Sequence, residues 1–293
     1  MTTPQVVLIT GGSRGFGAVA ARELAERGHL VVATMREPER DGAAVVADYE
    51  PQIAAVRCDV QEQASIDAAV AFTLNRHGRI DALVNNAGQS MIGAIEELTE
   101  EEINTVLDVN VLGCLRMIRA VLPHMRAQRR GRIVNISSQA GRMGGPIVGG
   151  YCASKFALEG LSEALRFEVG PLGIQVVIVQ PGIVQTDHLS SNMVISQALR
   201  EGQSVYQVPG DAVVAALQVA GRRRQGPRTV ACAIADLVEI EEPLPLRVQV
   251  GDDTVRNLTQ RAAMTDDEWE ANLRTLPADS YPGAFFQTVT RGD

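Results

Sequence analysis

Two hydrophobic patterns alternate along this chain. Gln5–Thr10, Leu30–Met35, Ile53–Cys58, Ile80–Asn85, Arg132–Ser137 and Ile174–Gln180 are short runs rich in Val, Ile and Ala. Runs of that length with little polar alternation predict strands buried on both faces. Between them lie stretches with apolar residues three and four apart. Gly15–Gly28 puts Ala18, Ala21, Leu24 and Ala25 on one face, with Gly28 as the stop. Pro38–Tyr49 and Gln61–His77 predict two further helices, the second closed by Gly78. Thr99-Glu100-Glu101-Glu102 has capping-box spacing and opens a helix. Its apolar stripe runs through Ile103, Val106, Leu107, Val111, Cys114, Leu115, Ile118, Leu122 and Met125. Tyr151–Gly170 predicts one more helix.

Buried strands alternating with amphipathic helices specify an α/β fold: a doubly wound, Rossmann-like parallel sheet with helices on both faces. The rhythm weakens after residue 182. Segment 187–225 shows helical patches at Ser196–Arg200 and Asp211–Ala220 and no strand. It is expected to lie over the carboxyl ends of the strands as a helical lid, with Met193, Val194, Ile195, Leu199 and Tyr206 as an apolar wall. Gly141–Gly150, with Pro146 inside it, would form the opposite wall. Arg222-Arg223-Arg224-Gln225-Gly226-Pro227 reads as a basic hinge. Thr229–Glu239 predicts a helix and Leu246–Val250 a last strand. Thr265-Asp266-Asp267-Glu268 is a second capping box, ahead of the only tryptophan, Trp269. The expectation is one domain over 1–293: a core over 5–186, the lid, and a C-terminal extension over 251–293.

Composition narrows the function classes. A net charge of −8 over 293 residues argues against a general nucleic-acid binder. No run approaches the length of a membrane span, and the N-terminus enters its first strand without a basic leader. The four cysteines, Cys58, Cys114, Cys152 and Cys232, sit apart in apolar segments, and the four histidines are isolated. Reduced thiols, no bound metal and a cytoplasmic setting are therefore expected.

Chemistry enters at the first turn. Thr10-Gly11-Gly12-Ser13-Arg14-Gly15-Phe16-Gly17 lies between a strand and a helix. Glycines there let backbone N–H groups approach a pyrophosphate at a helix N-terminus. The second strand ends Ala33-Thr34-Met35-Arg36. An acid at that end would bind a ribose 2′-hydroxyl, whereas Arg36 with Arg14 offers donors to a 2′-phosphate. Arg36 paired to Glu37 or Glu39 is the plainer alternative. NADP(H) is thus favoured over NAD(H). Asp59 is placed either to cap an adenine edge or to cap the next helix.

Tyr151-Cys152-Ala153-Ser154-Lys155 supplies a phenol and an ammonium four residues apart, on one side of one helical turn. A positive charge nearby favours the phenolate and would lower a pKa that is ordinarily about 10. Asn110 falls on the apolar stripe of its helix, where an amide needs hydrogen-bond partners.

In order and spacing these residues resemble the short-chain dehydrogenase/reductase family. Thr10–Gly17 matches its TGxxxGxG turn and Asn85-Asn86-Ala87-Gly88 its NNAG. Asn110 matches its helix asparagine, Ser138 its serine 13 residues before Tyr151, and Pro181-Gly182 with Thr186 its PGxxxT. The likeness covers about residues 5–190. Leu107–Arg126 and Tyr151–Leu161 look most like the 17β-hydroxysteroid and retinol dehydrogenase branch. The resemblance implies hydride transfer between NADP(H) and a carbonyl or secondary alcohol, with a hydrophobic, steroid- or retinoid-like substrate. Asn110, Ser138, Tyr151 and Lys155 would be catalytic, with Asn110 holding a proton-relaying water. Gly11, Ser13, Arg14, Gly15, Phe16, Gly17, Arg36, Asp59, Val60, Asn86, Ala87, Gly88, Tyr151, Lys155, Pro181, Gly182 and Thr186 would bind cofactor. Thr186 could equally be a helix cap. Ser138, Tyr151, Met193, Val194 and Leu199 would meet the substrate. A homodimer or homotetramer is also implied; the Tyr151 helix carries small residues at Ala153, Ala157, Gly160 and Ala164. The alternatives are a non-catalytic NADP-binding sensor or scaffold, an NAD-dependent alcohol dehydrogenase of the same fold and, less favoured, an epimerase or dehydratase.

Overall fold

The computed structural model describes residues 3–184, 193–222, 226–241 and 243–289. Its strands are β1 (Val6–Ile9), β2 (Leu30–Met35), β3 (Ile53–Arg57), β4 (Ala82–Asn85), β5 (Ser90–Ile92), β6 (Gly131–Ile136), β7 (Ile174–Pro181), β8 (Met193–Ile195) and β9 (Arg247–Val250). Seven form one sheet in the order β3-β2-β1-β4-β6-β7-β9. Every neighbour pairing in it is parallel. The helices are α1 (Gly15–Glu26), α2 (Pro38–Asp41), α3 (Ala43–Val46), α4 (Gln63–His77), α5 (Glu100–Leu107), α6 (Cys114–Gln128), α7 (Gly149–Val169), α8 (Gln197–Arg200), α9 (Gln207–Arg222), α10 (Pro227–Glu239), α11 (Asp252–Ala263), α12 (Asp266–Arg274) and α13 (Gly283–Val289).

The apolar strands face two cores at once. Val7 and Ile9 of β1 pack with Ala21 and Leu24 of α1 and with Val230, Ile234 and Val238 of α10. Leu8, between them, packs the other way, with Ile66 and Val70 of α4, Met117 and Val121 of α6, and Leu165 of α7. Alternate side chains of a strand point to opposite faces, so a strand covered on both sides is apolar along most of its length. The strand order reverses beside β1: β2 and β3 lie on one side and β4 on the other. A crevice at the carboxyl ends of β1 and β4 is the consequence.

Three local features depart from the sequence expectation. Pro38–Tyr49 forms two short helices, α2 and α3, that break at Gly42. A Cβ at Gly42 would lie 2.5 Å from the Pro38 carbonyl oxygen and 2.8 Å from Ala55 Cβ, so the chain passes too close to β3 for a larger residue. The helix opened by Thr99 is interrupted by a π-helical stretch over Asp108–Gly113, which turns Asn110 inward. A strand also forms where none was expected: β8 pairs in parallel with β5, Met91 opposite Val194. Three residues are too few to display a period, and the pairing is made only in the folded chain. Both capping boxes form as expected.

Candidate active site

The glycine turn is built by close approach. Gly11 has φ +66° and Gly15 φ +57°, the left-handed region that L side chains rarely occupy. A Cβ on Gly17 would lie 2.3 Å from the Gly11 carbonyl oxygen, so α1 starts hard against the turn. Arg14 precedes α1 without a side-chain cap, and the first turn has no acidic residue. Its leading N–H groups are left for a ligand, and an anion suits them. Asn86 laces the turn to β4: its Nδ2 donates to the carbonyls of Thr10 (2.9 Å) and Gly11 (3.1 Å). Thr10 Oγ1 accepts from the backbone N–H groups of Asn86 and Ala87, both at 3.0 Å.

A cavity of about 290 Å³ runs from this turn across the sheet ends. Gly11, Ser13, Arg14, Gly15, Phe16, Arg36, Asp59, Val60, Asn86, Ala87, Gly88, Ser138, Tyr151, Lys155, Pro181, Gly182 and Met193 all line it. Gly17 lies beneath the turn rather than on the wall. At one end Arg14 and Arg36 are exposed and, among the described residues, form no ion pair. Arg36 is not tied to Glu37 or Glu39; Arg40 pairs with Glu37 and with Asp41. Asp59 does not cap α4, whose preceding residue is Glu62. Its Oδ1 accepts instead from Gln61 N at 3.0 Å. Glycine close approach and an uncapped helix start fit a dinucleotide; at its far end Arg14 and Arg36 stand without an ion pair among the described residues, with Asp41 also on the lining.

The other end holds the reactive groups. Lys155 is buried on α7, and its Nζ donates to the Ile136 carbonyl at 2.9 Å. It sits 5.8 Å from the Tyr151 ring centroid. Burial pushes the Tyr151 phenol up to about 12, while a hydrogen bond from Ser138 pulls it down. Lys155 is not among the groups that lower it, contrary to expectation. The low-dielectric wall disfavours the phenolate, and the ammonium is held by a backbone carbonyl. Burial likewise pushes the Lys155 ammonium down, opposed by Cys114 and Glu159. Ser138 Oγ accepts from Ala140 N at 3.1 Å, which fixes the hydroxyl and leaves its proton to donate.

Asn110 is fully buried behind this wall. Its Oδ1 accepts from Gln89 N at 2.8 Å, and its Nδ2 donates to Gln89 O and Ser154 Oγ, both at 2.9 Å. Ser154 Oγ in turn donates to the Tyr151 carbonyl at 2.7 Å. The amide therefore ties the Gly88–Gln89 segment to α7.

Of the five lid residues expected on the wall only Met193 is there; Val194, Ile195, Leu199 and Tyr206 are not. Leu199 is buried in the lid's own apolar cluster, and Val194 is the strand partner of Met91. Thr186 lies outside the described residues. The lid reaches the cavity through Met193 and Leu217, and Ile92, Val148 and Ile183 complete the apolar lining. Tyr281, 130 residues beyond Tyr151 in the sequence, also lines it. No periodic or motif signal marked Tyr281. Leu217 lay on an expected helix, but its facing is set by how α9 docks. Among the described residues no cluster of His, Cys, Asp or Glu could hold a metal ion, and the four cysteines are free.

Comparison with known proteins agrees with this geometry. The short chain dehydrogenase family matches residues 5–193. A 3-ketodihydrosphingosine reductase of Bacteroides thetaiotaomicron is 39% identical over 251 residues, covering 85% of this chain and 88% of its own. A short-chain dehydrogenase from Streptomyces avermitilis superposes with a TM-score of 0.79 at 34% identity, over 99% of this chain and 98% of that one. ElxO, solved with NADP bound, has a TM-score of 0.71 at 26% identity over 87% of this chain and 100% of its own. A 3-ketoacyl-(acyl-carrier-protein) reductase from Brucella melitensis, solved with NADH, has the same TM-score at 27% identity, over 85% and 98%. This chain belongs to the short-chain dehydrogenase family. It is an oxidoreductase of the class that interconverts CH–OH and carbonyl groups with a nicotinamide cofactor. No helix among the described residues is long and apolar enough to cross a membrane.

Proposed function

We propose that this protein is an NADPH-linked reductase of hydrophobic ketones, able to run the reverse alcohol oxidation, with Tyr151 as acid and base. One observation carries the reading: Tyr151, Ser138 and Lys155 converge at one end of a cavity whose other end presents Arg14 and Arg36 unpaired. The cofactor, when bound, supplies or accepts the hydride at the carbonyl carbon.

The protein's own groups then have separate tasks. Ser138 donates to the carbonyl oxygen and fixes its position. Tyr151, kept neutral by burial, gives its phenolic proton to that oxygen. Lys155, anchored on Ile136, stabilises the phenolate left behind by its positive charge and offers N–H donors to ribose hydroxyls. Gly11, Ser13, Gly15 and Phe16 line the path of a pyrophosphate, and Asn86, Ala87 and Gly88 form its floor. Asp59 and Val60 would flank an adenine, and Pro181 and Gly182 the nicotinamide. Asn110 acts by positioning, since its amide is committed to Gln89 and Ser154. Its Oδ1 and Lys155 Nζ would lie 3.2 and 3.8 Å from a Cβ on Gly88, which places both beside any proton path from Lys155.

Preference for NADPH rests on Arg14 and Arg36 and on the end of β2, where Met35-Arg36 stands in place of an acid. The NADP-bound neighbour supports it; the NADH-bound one shows that the shared fold alone does not decide it. The substrate class rests on the apolar lining, and the relative named for 3-ketodihydrosphingosine supports a hydrophobic ketone. Steroid, retinoid and long-chain ketones are all of that kind. Incubation of the protein with 4-deuterated NADPH and a panel of such ketones tests the proposal. Deuterium at the carbinol carbon is the expected result. NADPH binding without labelled alcohol from any ketone would favour the sensor reading instead.

A further inference from the structure

The C-terminal extension enters the pocket. Tyr281 lines the same cavity as Ser138, Tyr151 and Met193, although 130 residues separate it from Tyr151. Its hydroxyl donates to the Pro146 carbonyl at 3.2 Å. Gly145 makes room for it: a Cβ there would lie 2.0 Å from the phenolic oxygen and 3.0 Å from Cζ. Behind the ring, Tyr281 and Phe285 pack on the apolar cluster of Ile92, Ile147, Val213 and Leu217. Helix α13 lies along α9, and the rings of Phe285 and Tyr206 stack at 6.5 Å. The tail therefore holds the lid and also closes the pocket.

We infer that Tyr281 is a specificity-determining residue, whose ring forms the wall against the non-reacting end of the ketone. The inference rests on the ketone-reductase reading above. Its donor is spent on Pro146, so the phenol offers a ligand only its ring and an oxygen lone pair. The neighbouring lining is Ile92, Val148, Ile183, Met193 and Leu217, with no cation among them. An uncharged apolar group fits this end; a carboxylate or phosphate would lose hydration there without a partner. Ring area rather than a hydrogen bond would then fix how large that group can be.

The test compares acetophenone with 2-acetylnaphthalene. It uses steady-state kinetics with NADPH and calorimetric binding of each ketone to the protein loaded with NADP⁺. Tyr281→Ala opens the wall and is expected to shift the kcat/KM ratio at least tenfold towards the larger ketone, mainly through KM, with NADP⁺ affinity within twofold of wild type. Tyr281→Phe keeps the ring and should keep the wild-type ratio. Gly145→Ala pushes the phenol away from the opposite side and should shift the ratio in the same direction as Tyr281→Ala. It decides the matter should Tyr281→Ala lose NADP⁺ binding. An active enzyme whose ratio is unchanged in Gly145→Ala and in any folded Tyr281→Ala overturns this inference alone. A wild type that neither binds nor reduces either ketone overturns it together with the reading beneath it.

Discussion

Gly17→Ala probes the cofactor turn without touching a reactive group. The added Cβ would lie 2.3 Å from the Gly11 carbonyl oxygen and 2.5 Å from Asn86 Nδ2. Carbon contacts settle near about 3.5 Å, so turn and helix must part by about 1 Å. Overpacking of this kind costs about 1–3 kcal/mol. The movement also strains the two hydrogen bonds from Asn86 to Thr10 and Gly11, each contributing about 0.5–1.5 kcal/mol. The sum is roughly 2–6 kcal/mol, a large part of the roughly 5–15 kcal/mol that holds a typical domain folded. At about 2–4 °C per kcal/mol the melting temperature should fall by roughly 4–24 °C. The N–H groups that would meet a pyrophosphate move with the turn. Losing one hydrogen bond to a charged group, about 1.5–3 kcal/mol, weakens NADPH binding by roughly ten- to a hundredfold. Thermal unfolding by circular dichroism and fluorescence titration with NADPH measure the two effects. A variant that melts within 2 °C of wild type, in order-of-magnitude terms about half a kcal/mol, and binds NADPH within about threefold would refute the close-approach account.

Other consequences follow from the same geometry. Arg36→Ala should weaken NADPH binding by roughly tenfold and leave NADH binding within about twofold, since an exposed charge-assisted contact contributes about 1–2 kcal/mol after screening; equal losses for both would remove the phosphate pocket. The Tyr151 phenol stands at about 12, so its protonated form, the acid for reduction, is present throughout the range below that value. Reduction should therefore be flat from about pH 7 to 10 as far as Tyr151 governs it, and oxidation, which needs the phenolate, should climb with pH; a reductive rate falling between pH 7 and 9 with an intact fold contradicts that assignment. Ala153, Phe156, Ala157, Gly160, Ala164 and Phe167 of α7 all face outward, with Phe156 47% and Phe167 71% exposed. Two copies are expected to pair across this face, and sedimentation should show a dimer or tetramer that Phe167→Glu dissociates; a wild-type monomer at micromolar concentration counts against it.

Much of the fold was legible because both faces of its sheet are covered. Runs such as Val6–Ile9 and, within β7, residues 176–179 are continuous and apolar for that reason, and their spacing fixed the sheet. The glycine turn was legible because backbone approach tolerates no side chain at Gly17. Tyr151 and Lys155 were legible because helical geometry alone sets them side by side. What escaped was decided by tertiary contact. The three residues of β8 are a strand only because β5 is beside them, and Gly42 breaks a helix only because β3 passes beneath it. Leu199 and Leu217 are equally apolar and share one apolar cluster, and the docking of α8 and α9 alone leaves Leu217 also on the cavity wall. Tyr281 reaches the site from a tail whose nearby sequence, rich in polar and turn residues, gives no sign of a destination. The strength of the Tyr151–Lys155 coupling was also out of reach, because adjacency on a helix says nothing about burial, and burial dominates the phenol.

Tyr151→Phe, assayed for NADPH affinity and for single-turnover ketone reduction in the same preparation, addresses the central claim most directly. The substitution removes one oxygen from a wall otherwise set by Ser138, Lys155 and the glycine turn. NADPH affinity within about threefold of wild type, with turnover reduced by at least roughly a hundredfold, is the predicted result for loss of a general acid. Turnover comparable to wild type on a ketone that wild type reduces would show that the proton comes from another group, and the arrangement around Tyr151 would lose its catalytic meaning.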